Sequence, residues 1–216
     1  MSDFTHIIFD LDGTLIDSKP GLLNALRYVL RQMGLNHRPE EIIDRLIGPP
    51  IQQGMKEVLG FNENQIEVSS RLFRDYYGER GLFEAAVYPG LHILLEELIA
   101  QGKKVYVATS KNSVFIPTIL RHFELDKYFD DFEASSGKDL QTKAELITKL
   151  MDRNRLFPSK DIVMIGDTKF DIVGGKANEI STIAVGYGYG QAGEMEELEP
   201  DYFAEDVDDL TEILLG

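Results

Sequence analysis

No cysteine occurs in these 216 residues. Disulfides and thiolate-ligated zinc are therefore excluded, and with them a secreted disulfide scaffold. The histidines are few, and His6, His37, His92 and His122 show no ligand spacing. The N-terminus lacks a basic region followed by an apolar one, so no signal peptide is expected. No apolar run approaches the roughly 18 residues of a membrane span. Cations are scarce: 22 Lys and Arg stand against 37 Asp and Glu, for a net charge of −15. The deficit is concentrated in residues 191–216, which hold ten acids and no Lys or Arg. Such a tail reads as a solvated, solubilising surface. Acidity of this kind disfavours nonspecific binding to nucleic acid or an anionic membrane. It leaves a small phosphorylated substrate open, because a few local cations decide that. The expectation is a cytoplasmic protein, a monomer or weak homodimer, with no nucleic-acid or membrane partner.

What the chain does have is a core. Hydrophobic residues make up 43% of it, which argues against disorder. The most informative stretch is His6-Ile7-Ile8-Phe9-Asp10-Leu11-Asp12-Gly13-Thr14-Leu15. A short apolar run, read as a buried parallel strand, ends in two carboxylates one residue apart. Period-two alternation would send Asp10 and Asp12 to the same side. Two acids that close repel each other unless a cation offsets the charge. Gly13 lets the backbone turn sharply or approach a ligand.

Further strand-like segments cover 103–110, 161–167 and 181–186, with a weaker one at 129–135. Helical patterns lie between them. Residues 90–101 carry Leu91, Leu94, Leu95 and Leu98 on one face, with Gly102 as a stop. Residues 142–153 open with Thr142 and Glu145, a capping-box pattern. A third helix is expected over 171–178. This alternation predicts a doubly wound, Rossmann-like α/β fold with a parallel sheet. Residues 17–82 break the rhythm. They hold only helical patterns (19–33, 39–47, 52–59 and 62–77) and are neutral by count, with nine cations and nine acids. The expected organisation is therefore a core of 1–16 and 83–216 with an inserted helical subdomain at 17–82. Hinges are expected at 16–18 and 78–88.

The three clearest strands each end in polar residues: Asp10 and Asp12, Thr109 and Ser110, Gly166 and Asp167. In open parallel sheets ligands bind outside the carboxyl ends of the strands, so these segments converge. Asp171, four residues after Asp167, adds a further acid. Four carboxylates without cysteine or clustered histidine favour a hard cation, and Mg²⁺ fits best.

Asp-Leu-Asp-Gly-Thr at 10–14 resembles the first motif of the haloacid dehalogenase-like (HAD) superfamily. Thr109 ending a hydrophobic strand resembles the second, Lys143 the third, and Gly-Asp-Thr-Lys-Phe-Asp at 166–171 the fourth. The order and spacing agree over essentially the whole chain. The helical insert resembles a C1-type cap. Gly48-Pro49-Pro50 and Ala108-Thr109-Ser110-Lys111 are similar to the phosphoglycolate phosphatase-type branch.

The resemblance implies a Mg²⁺-dependent phosphatase of small phosphate monoesters, with phosphoglycolate as the leading substrate. Asp10 would attack phosphorus and form an aspartyl-phosphate. Asp12 would protonate the departing alkoxide and then deprotonate the hydrolytic water. Mg²⁺ would be held by Asp10, the backbone carbonyl of Asp12 and Asp167, with Asp171 in support. Thr109 and Lys143 would bind phosphoryl oxygens. A lysine at about 4 Å contributes on the order of 4 kcal/mol at an effective dielectric near 20. Gly13, Ser110, Lys111 and the cap residue Gly48 would contact substrate, and Lys111 has a solvated alternative. Lys138 competes with Lys143, which is favoured because it would start the 142–153 helix. Asp171 has a second use as a helix cap. The Tyr187-Gly188-Tyr189-Gly190 run reads as a glycine-rich turn after a strand. A phosphomutase, a nucleotidase or a pyrophosphatase of the same fold remain alternatives. Outside the enzymes stand a phospho-accepting receiver domain and a silent binding module. Receiver domains lack the helical insert.

Overall fold

In the computed structural model the described residues are 4–35, 42–43, 45–47, 51–136 and 141–216. They divide into two compact units, Met1–Asp17 with Ala86–Gly216, and Ser18–Ala85.

The first unit is built on six parallel strands: β1 (His6–Phe9), β4 (Lys104–Asn112), β5 (Asp131–Ser135), β6 (Ile162–Gly166), β7 (Ser181–Val185) and β8 (Tyr202–Ala204), in the order β5-β4-β1-β6-β7-β8. The chain runs outward from β1 to β5 and then returns to build the other half from β6. Sheet order therefore reverses beside β1, and in open parallel sheets ligands bind at the carboxyl ends of the strands flanking such a reversal, here β1, β4 and β6. The inner strands β1, β4, β6 and β7 are buried on both faces over most of their length, as their apolar runs require, while the edge strands β5 and β8 are only partly covered. Ile8, Tyr106, Ala108, Ile162 and Met164 pack with Ile147, Leu150 and Met151 of a helix, α6 (Lys143–Asn154). Alternate residues Ile7, Phe9, Val105, Val107, Val163 and Ile165 are equally buried. The remaining helices of this unit are α4 (Leu91–Ala100), α5 (Ile116–His122), α7 (Lys169–Ala177), α8 (Ala192–Glu196) and α9 (Val207–Leu215). The α/β parallel-sheet fold expected from the sequence is the fold observed.

Three local features differ from expectation. β4 runs on through Ser110 to Asn112, with a register irregularity after Thr109. A two-stranded antiparallel ribbon, β2 (Ile16–Asp17) and β3 (Ala86–Val87), was invisible because two residues carry no periodicity. The acidic tail folds into α8, β8 and α9. Its ten acids are all exposed, as a solvated surface requires, while Ala204, Val207, Leu210 and Leu214 are buried.

The second unit is helical: α1 (Lys19–Gln32), α2 (Ile51–Glu57), α3 (Glu63–Glu79) and a 3₁₀ turn at Gly81–Phe83. Asn62 and Gln65 form a reciprocal capping box that starts α3. Buried Ala25, Leu26, Val29 and Leu30 of α1 and Phe73 and Tyr77 of α3 supply its apolar interior. Much of the helix expected at 39–47, together with Gly48, Pro49 and Pro50, lies outside the described residues.

Candidate active site

β1 stops at Phe9, and the Asp10 N–H still donates to the Ile165 carbonyl of β6 at 2.9 Å. The chain then wraps the Leu11 carbonyl, which accepts from Leu15 N–H at 2.9 Å and Ile16 N–H at 3.0 Å. Gly13 in this turn has φ +86°, and a Cβ there would overlap the Asp167 carboxylate, so only glycine fits. The turn ends the alternation that would have kept both acids together. Asp10 faces Lys143, whereas Asp12 pairs with Lys111, whose Nζ lies 2.7 and 2.9 Å from its two oxygens.

Lys143 is the first residue of α6, which begins where the Thr142 and Glu145 side chains exchange hydrogen bonds with each other's backbone N–H. Its Nζ lies 2.7 Å from Asp10 Oδ1 and 2.8 Å from Asp171 Oδ1, and it donates to the Ala108 carbonyl at 2.9 Å. Gly174 of α7 makes room, since a Cβ there would sit 2.9 Å from the Lys143 Cγ. Burial pulls the Lys143 pKa down, but the carboxylates of Asp10 and Asp171 outweigh it and hold the ammonium above the ordinary lysine value. Lys143→Met should therefore destabilise the chain by about 3–5 kcal/mol, because buried carboxylates lose their counter-ion. Urea unfolding of the metal-free protein measures this. A loss below about 1 kcal/mol would mean that Lys143 is not what holds those charges.

Asp10, Asp167 and Asp171 each offer an oxygen within 4.8 Å of the others. Asp167 is fully buried. Its Oδ1 accepts from the Thr14 hydroxyl at 3.1 Å, and its Oδ2 from the Tyr189 N–H at 2.7 Å. Asp171 caps α7: its Oδ2 accepts from the Thr168 N–H at 3.0 Å and hydroxyl at 2.7 Å. Burial raises the Asp10 pKa to about 6, with Asp171 adding to the rise and Lys143 opposing it. Burial raises Asp167 to about 7, with Asp10 and Asp171 adding to the rise.

Burial first, and the neighbouring acids second, disfavour the ionised forms of Asp10 and Asp167. Asp10 Oδ1 and Asp171 Oδ1 are also buried with no hydrogen-bond donor aimed at them, despite the nearby ammonium. Oxygen ligands, excess negative charge and unfilled acceptors together fit a hard divalent cation.

Thr109 is buried, and its Oγ1 accepts from the Lys111 N–H at 3.2 Å. Ser110 is exposed. The expected site residues thus come from the residue after β1 (Asp10), β4 (Thr109), the start of α6 (Lys143), the residue after β6 (Asp167) and α7 (Asp171). The Asp12 side chain stands outside the three-acid cluster, with Lys111. Gly48 and Lys138 lie outside the described residues. Four residues have supporting roles that the sequence reading did not assign. The Thr14 hydroxyl holds Asp167, and Gly166 leaves space for Asp171, whose carboxylate a Cβ would strike. Gly188 and Gly190 pack directly on Asp167. Only the short glycine spacing of 186–190 hinted at them.

The family described as haloacid dehalogenase-like hydrolase matches residues 7–185. A 5'-nucleotidase of Pseudomonas aeruginosa is 34% identical over 212 residues, covering 98% of this chain and 96% of that protein. A phosphoglycolate phosphatase of Vibrio parahaemolyticus is 29% identical, with 98% and 96% covered. A candidate phosphatase from Clostridium difficile, solved by crystallography, superposes with a TM-score of 0.91 at 36% identity over 99% of both chains. With the acidic cluster, the buried lysine and the buried β4 threonine in the order of the four motifs, the chain belongs to the haloacid dehalogenase-like hydrolase family, among its phosphatases.

Proposed function

We propose that this chain hydrolyses small phosphate monoesters with Mg²⁺, through an aspartyl-phosphate on Asp10. The observation that carries the reading is the three-carboxylate cluster closed by Lys143. Asp10, Asp167 and Asp171 would hold the ion, together with the Asp12 carbonyl. When bound, Mg²⁺ offsets the repulsion between the carboxylates and the substrate phosphate and keeps Asp10 ionised. Asp10 then needs no separate base to act as nucleophile. Lys143, ion-paired to Asp10 and Asp171, and the Thr109 hydroxyl would supply donors to phosphoryl oxygens. Asp12 is the group that moves protons. It hands one to the departing alkoxide and takes one from water as the acyl phosphate is hydrolysed. Lys111 must release Asp12 before that carboxyl can hand its proton over, and a substrate anion that draws Lys111 away would do so.

The helical unit Ser18–Ala85 is assigned the role of a leaving-group-selecting cap, and the working compartment is taken to be the cytoplasm. Phosphoglycolate is the favoured substrate. A nucleoside monophosphate is the second reading, favoured by the 34% identity to the Pseudomonas aeruginosa 5'-nucleotidase. A screen of phosphorylated metabolites with inorganic phosphate readout separates them. Release of phosphate without a bisphosphate cofactor distinguishes hydrolysis from mutase chemistry. Replacing residues 48–52 should change kcat/KM between metabolites by about tenfold or more, with little change on a generic aryl phosphate. Equal changes on both would remove the cap from substrate choice.

A further inference from the structure

We propose that the Tyr187–Gly190 turn is a positioning element for Asp167, and that the hydroxyls of Tyr187 and Tyr189 set the affinity of the acidic cluster for its divalent cation. The inference rests on the metal reading above and goes beyond it to residues outside the cluster.

Both oxygens of Asp167 are spoken for. One takes the Thr14 hydroxyl, and the other takes the Tyr189 N–H at 2.7 Å. The backbone of the turn reaches the carboxylate only because Gly188 and Gly190 lack side chains. A Cβ on Gly188 would overlap the Asp167 Cβ and the Gly13 carbonyl, and one on Gly190 would overlap the Asp167 carbonyl. Neither glycine has positive φ, so they serve proximity and not an unusual backbone.

The turn is in turn tied to the segment that supplies the other donor. Tyr187 Oη donates to the Thr14 carbonyl at 3.1 Å, and Tyr189 Oη to Asp17 Oδ1 at 2.9 Å. The Tyr187 ring packs edge-on against Tyr88, with centroids 4.8 Å apart, and the Tyr88 N–H donates to the Leu15 carbonyl. Thr14 and Tyr189, the two donors to Asp167, are thus cross-linked through phenol hydroxyls. A ligand carboxylate fixed before the ion arrives loses less freedom on binding. Loosening the cross-link frees the carboxylate to rotate while every ligand remains.

The test uses the full chain and Mn²⁺ as a paramagnetic probe, with bound ion read by electron paramagnetic resonance. The variant Tyr187→Phe/Tyr189→Phe keeps both rings and removes both hydroxyls. Its Kd for Mn²⁺ should rise about tenfold, while kcat at saturating Mg²⁺ stays within about threefold. Gly188→Ala should raise Kd further. A role limited to stability would lower the folded fraction and leave the Kd of folded protein unchanged. Wild-type binding with the same Kd in the double variant overturns the inference alone, whether or not Gly188→Ala folds. A wild-type chain that binds no Mn²⁺ overturns the metal reading itself, and this inference with it.

Discussion

Asp10→Asn is expected to lower turnover by at least about 10⁴-fold and to leave the chain folded. Asparagine nearly matches the shape of aspartate but cannot form the acyl phosphate. The loss should appear in kcat on every substrate, because no leaving group restores a missing nucleophile. Stability should move the other way. The ionised form of Asp10 is disfavoured by burial and by Asp171, as its pKa near 6 records. At about pH 8 without metal the wild-type site holds that charge at a cost, and asparagine removes it. The variant's Tm should therefore be no lower than wild type there, although Lys143 gives up one of its two anionic partners. Calorimetry beside a phosphate-release assay reads both. Residual activity within about tenfold of wild type would remove Asp10 as nucleophile.

Chelation is the second large effect. EDTA should abolish hydrolysis and added Mg²⁺ restore it. The ion should also stabilise the fold, by about 2.7 kcal/mol at roughly 100 times its Kd. For a chain of this size that is a rise in Tm of roughly 5–10 °C. The shift should depend on pH in a definite direction. Asp10 and Asp167 have folded pKa values near 6 and 7, above the ordinary 3.8. Groups raised in this way contribute stability in acid that is lost as pH climbs through their folded pKa. The metal-free fold therefore carries its largest electrostatic penalty at about pH 8, where both are ionised. The same ionisation creates the ligand set, since bound protons compete with the metal. The Mg²⁺-induced rise in Tm should be larger at about pH 8 than at about pH 6. An increment that is equal or reversed would separate the ion from these carboxylates.

The members of the candidate site were more legible in the sequence than their supports. Asp10, Thr109, Lys143 and Asp167 stand out as candidates because each lies where an apolar run stops or a capped helix starts. Parallel strands end together, so strand ends in sequence become neighbours in space. Lys143 is a clear case: the Thr142–Glu145 capping pattern marked the first residue of α6, and that residue reaches Asp10 and Asp171. The Lys111–Asp12 pair joins residues 99 apart and leaves no local pattern. Neither does the Tyr189 N–H on Asp167, because a backbone donor has no residue signature. Gly188 and Gly190 were read as turn chemistry, whereas their function is the absence of a Cβ against Asp167. The β2–β3 ribbon and β8 are too short for alternation to register.

The most direct measurement is mass spectrometry of protein quenched in acid during turnover with Mg²⁺ and a phosphate monoester. One phosphoryl group is expected on the N-terminal peptide, localised to Asp10, appearing only with metal and absent from Asp10→Asn. Phosphoryl transfer to another residue, or full turnover with an unmodified Asp10 under conditions that trap acyl phosphates, would contradict it.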